Sequence, residues 1–442
     1  MEKQLFVYQK LISELELKIK NRTYRIGEKL PSIRSLHRKM NVSISTVYKA
    51  YVELESMGLI EARPKSGYFI NAKPSMESPE MIKNEPVIRE INFSSIVVSV
   101  LKDLNDPNMI HLGSSTTSHE LLPVKHLTRI IKGINAEKMK SLISYSLIDG
   151  DPELKRQLAL HFIGTMESLD LNDIVITNGC MEALTISLML LAEKGDTILI
   201  ESPTHFGFLQ LLKELGLNVI ESPVDPVNGI DLDEFRKILS LKKVKACLLM
   251  SNFQNPTGAL MPEENKKNLV KIATDHNIPI IEDNLMSELY YDGIRPGSLK
   301  KYDTCSNVIS CSSFSKTIAP GLRIGWLVTP KQFRNKILSI KSGISISSPN
   351  LNQYIMAEFL KSGAYDRFMR NLRGRLKKQS LLVAHAVQQY FPKGTRVSVP
   401  KGGSLLWIQL PGKMNGMELY KIAREKKHIN YTRRSMFKFW KI

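Results

Sequence analysis

A β-branched run, Asn307-Val308-Ile309, leads into Ser310-Cys311-Ser312-Ser313-Phe314-Ser315-Lys316-Thr317, and Ala319-Pro320-Gly321-Leu322-Arg323-Ile324-Gly325-Trp326 follows after one residue. A strand opening into small hydroxyl residues around a single lysine, with a turn and an arginine close behind, constrains the chemistry of the loop. Burial and cationic neighbours keep a lysine amine nucleophilic, so that it can form a Schiff base with an aldehyde. The serines and Arg323 are the donors that a dianionic phosphate requires. An aldehyde that carries a phosphate describes pyridoxal 5′-phosphate. A lysine among serines also describes a solvated turn, so the reading depends on partners elsewhere in the chain.

Those partners stand at the ends of other strands. From about residue 106 helical and β-rich segments alternate, as in an α/β sheet domain whose ligand groups gather where strands end and helices begin. Ile174-Val175-Ile176 precedes Thr177-Asn178-Gly179-Cys180-Met181 and a long apolar helix. Backbone N–H groups of Gly179, Cys180 and Met181 at that helix start form a phosphate seat. The strand from Thr197 ends in Ser202-Pro203-Thr204-His205-Phe206, the strand from Ala246 in Asn255-Pro256-Thr257-Gly258, and Ile278-Pro279-Ile280-Ile281 in Glu282-Asp283. A carboxylate buried at Asp283 needs a cation, which a protonated pyridine nitrogen supplies. Asn255 is an amide donor for a ring oxygen. Taken singly, Asp283 is equally a helix cap and Asn255 a turn former.

In this order the motifs resemble the class I aminotransferases over roughly residues 106–430, with the lysine motif S-x-S-K of fold type I. The resemblance implies that Lys316 forms the Schiff base with pyridoxal 5′-phosphate and that Asp283 pairs with the pyridine nitrogen. It implies further that Asn255 holds the ring oxygen, that Ser313 and Arg323 hold phosphate beside Gly179, Cys180 and Met181, and that His205 lies over the ring. Tyr145, before Asp149-Gly150-Asp151-Pro152, is implied to reach the phosphate of a partner subunit in a head-to-tail homodimer.

Residues 1–72 carry a different pattern. Leu5, Tyr8, Leu11, Ile12, Leu15 and Ile19 recur at helical spacing. Gly27 and Pro31 punctuate the way to a second helix over Ile33–Met40, with Ser32 as its N-cap. After Asn41-Val42-Ser43 the pattern predicts a third helix from about residue 45 to 57, with Val47, Tyr51 and Leu54 inward. Residues 59–62 and 67–70 read as two strands around Arg63-Pro64-Lys65-Ser66. Three helices and a hairpin describe a winged helix-turn-helix. Gly27-x-Lys29-Leu30-Pro31-Ser32-x-Arg34-x-Leu36, then Val42-Ser43-x-Ser45-Thr46-Val47 and Ala50-Tyr51-x-x-Leu54-Glu55-x-x-Gly58-Leu59-Ile60, closely resemble the GntR family of DNA-binding domains. That resemblance implies that Arg34, Ser45, Thr46 and Lys49 face double-stranded DNA and that Lys65, Ser66 and Gly67 form the wing tip. Each of these residues alone also fits a solvated or capping group. Ile44 stands where the family often has arginine.

Joined, the two halves resemble the MocR subfamily. The expected architecture is a winged helix-turn-helix over 1–72, a linker over 73–105 with Pro74, Pro79 and Pro86, and an α/β fold-type I transferase-like domain over 106–442 with a shortened small C-terminal domain. Near the end, Arg433 and Arg434 replace the Pro-Gly of a family segment, and the strand that carries the family's carboxylate-binding arginine is missing. Met286 replaces a tyrosine that donates to the ring oxygen. The expected function is therefore a transcriptional regulator that senses pyridoxal 5′-phosphate or a small amine or amino-acid effector, with amine exchange but little transamination. An aminotransferase with an auxiliary DNA-binding head is the alternative.

Composition agrees with a partner of opposite charge. The 442 residues hold 62 Lys and Arg against 43 Asp and Glu, a net charge of +19, which favours polyanions. Residues 1–73 contribute 14 basic against 7 acidic side chains. The 4 cysteines show neither metal-ligand spacing nor a disulfide framework, so no metal is expected and a reduced cytoplasm fits. No run reaches membrane-spanning length.

Overall fold

The computed structural model describes residues 7–20, 23–24, 28–56, 59–63, 66–70, 77–91, 110–111, 115, 117–166, 169–291, 293–412, 416–425 and 428–429. At the N-terminal end three helices, α1 (Val7–Lys20), α2 (Ile33–Met40) and α3 (Ile44–Ser56), precede a hairpin of β1 (Ile60–Arg63) and β2 (Gly67–Ile70). Ser32 caps α2 by accepting the Ser35 N–H at 3.2 Å, and Asn41 ends it in the left-handed conformation. The third helix starts one residue earlier than its apolar spacing predicts, because the Ser43 hydroxyl accepts the Thr46 N–H at 3.0 Å and serves as its cap. Leu11, Leu15, Leu36, Val47, Tyr51, Leu54 and Ile70 close one small core. The Tyr51 hydroxyl donates to the Pro31 carbonyl at 2.7 Å, which fixes α3 against the entry to α2. Leu30 N–H to Tyr68 and Ile70 N–H to Glu28, both 2.8 Å, lay the connection before α2 along the hairpin.

Part of the segment read as linker is tied down. Arg89 exchanges backbone hydrogen bonds with Val219, Glu80 N–H reaches the Gln409 side chain, and Lys83 pairs with Asp231 at 3.0 Å. Isolated bridges and ion pairs of this kind leave no periodic signal in a sequence.

The larger part is built on one eight-stranded sheet. Its strands are β4 (Ile174–Thr177), β5 (Thr197–Ser202), β6 (Asn218–Asp225), β7 (Gly229–Ile230), β8 (Ala246–Leu249), β9 (Ile280–Asp283), β10 (Val308–Ser313) and β11 (Gly325–Val328), while β3 (Ile110–His111) stands apart and pairs with β14 (His428–Ile429). The order is β4-β11-β10-β9-β8-β5-β6-β7. Strands β6, β5, β8, β9 and β10 run parallel, and β11 lies antiparallel between β10 and β4. Side chains alternate between two cores: Ile198, Ile200, Leu248, Ile281 and Ile309 face one, and Leu199, Cys247, Ile280 and Val308 the other. Burial on both faces is why these strands read as unbroken apolar runs.

Among the helices, α4 (Pro152–His161), α5 (Cys180–Leu191) and the 27-residue α6 (Ala364–Tyr390) matter below. Helix α5 is apolar almost all round, and Ala183, Leu184, Ile186 and Leu188 are fully buried against the sheet. A short pair, β12 (Arg396–Val397) and β13 (Ile408–Gln409), lies toward the C-terminal end. Arg433 and Arg434 lie outside the described residues. No helix among the described residues is long and apolar enough to cross a membrane.

Candidate cofactor site and nucleic-acid interface

Parallel strands β8, β9 and β10 end side by side, so the loops after them converge on one edge of the sheet. Lys316 sits three residues beyond β10, and its Nζ donates to the Ser115 hydroxyl at 2.8 Å. The Thr117 hydroxyl donates to the Lys316 carbonyl at 3.1 Å. Burial lowers the Lys316 ammonium below its ordinary range, and nearby Asp283 partly opposes the shift. A buried lysine that loses its proton more readily is a better nucleophile.

Asp283 closes β9 with its side chain almost fully buried. Burial raises its carboxyl to about 6, although the Leu285 N–H donates to Oδ1 at 2.9 Å and the Cys180 thiol at 3.7 Å. One backbone donor and one thiol are weak compensation for a buried carboxylate, and a cation is what would hold it ionised. Burial and the neighbouring Lys316 press His205 down to about 4, so its imidazole is neutral. Its Nδ1 can then accept from Asn255 Nδ2, 3.3 Å away. Gln254, fixed by a 2.7 Å bond to the Pro203 carbonyl, carries Asn255 into place.

The residues expected to hold phosphate meet where β11 passes the start of α5. Arg323, left-handed at φ 52°, donates from Nη2 to the Asn178 carbonyl at 2.8 Å. Gly179 precedes α5 at φ 89°, and a Cβ there would stand 2.5 Å from Arg323 Nη2. The backbone is open at that point because nothing but glycine fits. Ser313, buried, already accepts the Ser315 N–H at 3.2 Å. Met181 is exposed on the first turn of α5. Tyr145 is 82% exposed and takes no part in this cluster. Met286 is buried in the main core, with only a thioether to offer.

On the N-terminal unit, Ser32, Arg34, Ser35, Arg38 and Lys39 line a hollow of about 570 Å³ on α2. At the start of α3 the Ser45 and Thr46 hydroxyls lie 2.8 and 2.7 Å from Ser43 Oγ, a cluster that holds both side chains in the first turn. Lys49 lays its ammonium over the Tyr8 ring at 3.9 Å. Ser66 and Gly67 are exposed at the hairpin tip, and Lys65 lies outside the described residues. Ile44, Tyr48 and Val52, one helical turn apart, are exposed along α3 and give it an apolar stripe.

The family of bacterial regulatory proteins, gntR family, matches residues 7–70, and aminotransferase class I and II matches residues 107–441. The uncharacterised HTH-type transcriptional regulator YjiR of Escherichia coli K12 is 36% identical over 91% of this chain and 86% of its own. The chain belongs to the MocR-type regulators of the GntR family. A second E. coli regulator of this kind, the uncharacterised YdcR, is 32% identical over 97% of this chain and 92% of its own. Among solved structures, LysN, an α-aminoadipate aminotransferase from Thermus thermophilus complexed with N-(5′-phosphopyridoxyl)-L-leucine, superimposes with a TM-score of 0.70. It is 25% identical and covers 79% of this chain and 93% of that one.

Sequence reasoning about this regulator missed Ser115 and Thr117 beside the lysine, and Arg38 and Lys39 beside Arg34. The basic pair was visible one helical turn after Arg34. Ser115 carried no signal, since 201 residues separate it from Lys316.

Two expected results follow from the geometry. Gly179→Ala forces a methyl group onto the Arg323 guanidinium and strains the backbone, removing about one charge-assisted hydrogen bond to a phosphate, worth roughly 1.5–3 kcal/mol. Retention of pyridoxal 5′-phosphate, measured by equilibrium dialysis, should weaken about tenfold or more. The second concerns Asp283 in cofactor-free protein. Its folded pKa, about 6, lies above the ordinary 3.8, so ionisation costs more folded than unfolded. The penalty is absent below pH about 4, grows through pH 6 and is constant above, on the order of 3 kcal/mol. Asp283→Asn should therefore melt above cofactor-free wild type at pH 8 and level with it near pH 4. Equal melting curves at pH 8 would refute the reading.

Proposed function

We propose that this transcriptional regulator binds an operator through its winged helix-turn-helix and carries pyridoxal 5′-phosphate on Lys316 as the means of sensing it, or sensing an amine. The carrying observation is the convergence at one sheet edge of a half-buried amine, a buried carboxyl with few hydrogen-bond donors, a neutral imidazole paired with an amide, and an arginine against an open helix start. Lys316 would hold the aldehyde carbon, Asp283 the ring nitrogen, Asn255 the ring oxygen, and Arg323 with the Gly179–Met181 N–H groups the phosphate. When bound, the cofactor supplies an electrophilic carbon that exchanges amines and a ring that withdraws electrons. His205, held at 3.3 Å by Asn255, would lie against that ring and keep water from it. The backbone turn at Asn178 and Gly179 keeps Arg323 aimed at the phosphate. Met286 has no proton to give a ring oxygen, so Asn255 would be its donor, which favours sensing over turnover.

In this reading the exposed Tyr145 is a side chain that the partner of a head-to-tail homodimer would cover. Amine or cofactor binding then shifts the population between arrangements of the dimer and so repositions the DNA-binding units. The test is DNA affinity of the full chain, with operators selected from randomised duplexes, with and without pyridoxal 5′-phosphate. A coupling of about 1–3 kcal/mol, roughly 5- to 150-fold in affinity, is expected. Equal affinity in both states would remove the sensing role and leave DNA binding standing.

A further inference from the structure

A cavity of about 720 Å³ opens where the end of α4, the turn after β9 and the first turns of α6 meet, and neither Lys316 nor Asp283 nor Arg323 lines it. Its wall is unusually basic: Arg295, Arg367, Arg370 and Arg373 face only Glu288 and Asp366 among the described residues. Glu288 is surrounded, with the Arg295 guanidinium against one oxygen, and His161 Nε2 at 3.2 Å and Arg373 Nη2 at 3.5 Å from the other. Two further arginine donors are spent on carbonyls, Arg373 Nε on Glu288 at 2.7 Å and Arg295 Nη1 on His161 at 2.8 Å. Burial lowers Arg295 to about 10 and His161 to about 3, so the imidazole adds no charge.

Several buried polar atoms of the wall make no hydrogen bond among the described residues, and besides His161 Nε2 and Glu288 Oε1 they include two donors. The Tyr365 side chain is 1% exposed, and neither its hydroxyl nor Arg295 Nε has a hydrogen-bond partner among the described residues. Neighbouring Thr317 gives its own hydroxyl to the Phe314 carbonyl at 3.4 Å. Buried donors of this kind are nearly always satisfied, and in a cavity with surplus arginine the fitting acceptor is an anionic oxygen. Arg367 and Arg370 are exposed at the mouth and extend the positive lining outward. The volume lies within the range of small-ligand pockets.

We propose that this cavity is a second ligand site, which takes a small anion whose carboxylate or phosphate oxygens accept from Tyr365 and Arg295. It stands behind the lysine loop: the Tyr365 ring meets Phe314, two residues before Lys316, edge-on at 6.0 Å. Occupancy is therefore felt by the segment that carries Lys316.

Inorganic phosphate and glutarate, titrated separately into the full chain by calorimetry, test the site and distinguish the two oxygen sources. One probe should bind saturably at one site per chain. Arg323→Gln, which removes the arginine at the start of α5, should leave that binding within twofold. Tyr365→Phe keeps the ring packing and should weaken it at least tenfold, and Arg370→Gln, on the exposed rim, should weaken it severalfold. Absence of saturable binding by either probe would overturn the proposal. So would binding that Arg323→Gln abolishes while Tyr365→Phe and Arg370→Gln leave it intact, which would assign the anion to the α5 seat.

Discussion

Lys316→Ala should give a colourless protein that releases pyridoxal 5′-phosphate on gel filtration, whereas wild type keeps a visible absorption band through the same column. The substitution removes the amine that bonds the aldehyde carbon, and no other described lysine shares the position 2.8 Å from Ser115. The remaining contacts are non-covalent: an arginine, helix N–H groups, a carboxyl and an amide. Together they support reversible binding, so the variant should still show cofactor in dialysis at high concentration. Borohydride reduction of wild type followed by peptide mapping should place the label on Lys316. A label on another lysine, or a colourless wild type after addition of cofactor, would overturn the assignment.

DNA binding should collapse with salt. A protein that neutralises 6–10 phosphates loses on the order of 10³–10⁵ in affinity between 50 and 200 mM salt. Arg34, Arg38 and Lys39 round one hollow, with Lys49 on α3, would supply part of such a surface. Arg34→Ala should cost about 1–3 kcal/mol if it reads a base and should then relax sequence preference. Lys39→Ala should instead weaken all sequences alike and lower the salt slope by about one contact. Fluorescence anisotropy at several salt concentrations checks both. A flat salt response would remove the N-terminal unit from the interface. Exposed Ile44 at the head of α3 adds a directional expectation: an aliphatic side chain there would favour a thymine methyl where arginine would read guanine.

Much of this architecture was legible because the forces that set it are local or strictly periodic. Ser32 before an apolar 3.6-residue pattern marks the start of α2, since a hydroxyl there satisfies a free N–H whatever the rest of the chain does. Unbroken runs such as Ile198-Leu199-Ile200 were legible as strands, and the two cores that divide them show why the runs are unbroken. The ordered motifs around Asp283 and Lys316 were legible as well, because each pairs a strand end with a residue type of defined chemistry.

Other features depended on distance in space. Ser115 meets Lys316, Arg323 meets the Asn178 carbonyl, and Cys180 meets Asp283 only after the sheet brings β4, β9, β10 and β11 into one edge. The cap at Ser43 and the docking of residues 77–91 are single contacts without a period. The arginine cavity is the extreme case. His161, Glu288, Arg295 and Tyr365 come from separate stretches, and each reads in sequence as an ordinary polar or aromatic residue. Burial makes them unusual, because removal from water raises the cost of an unsatisfied donor and weakens the hold of the Arg295 guanidinium on its proton. Sequence by itself determined which elements form and which chemistry the lysine loop permits; tertiary packing decided which groups lose their water, and therefore which of them are left without a hydrogen-bond partner.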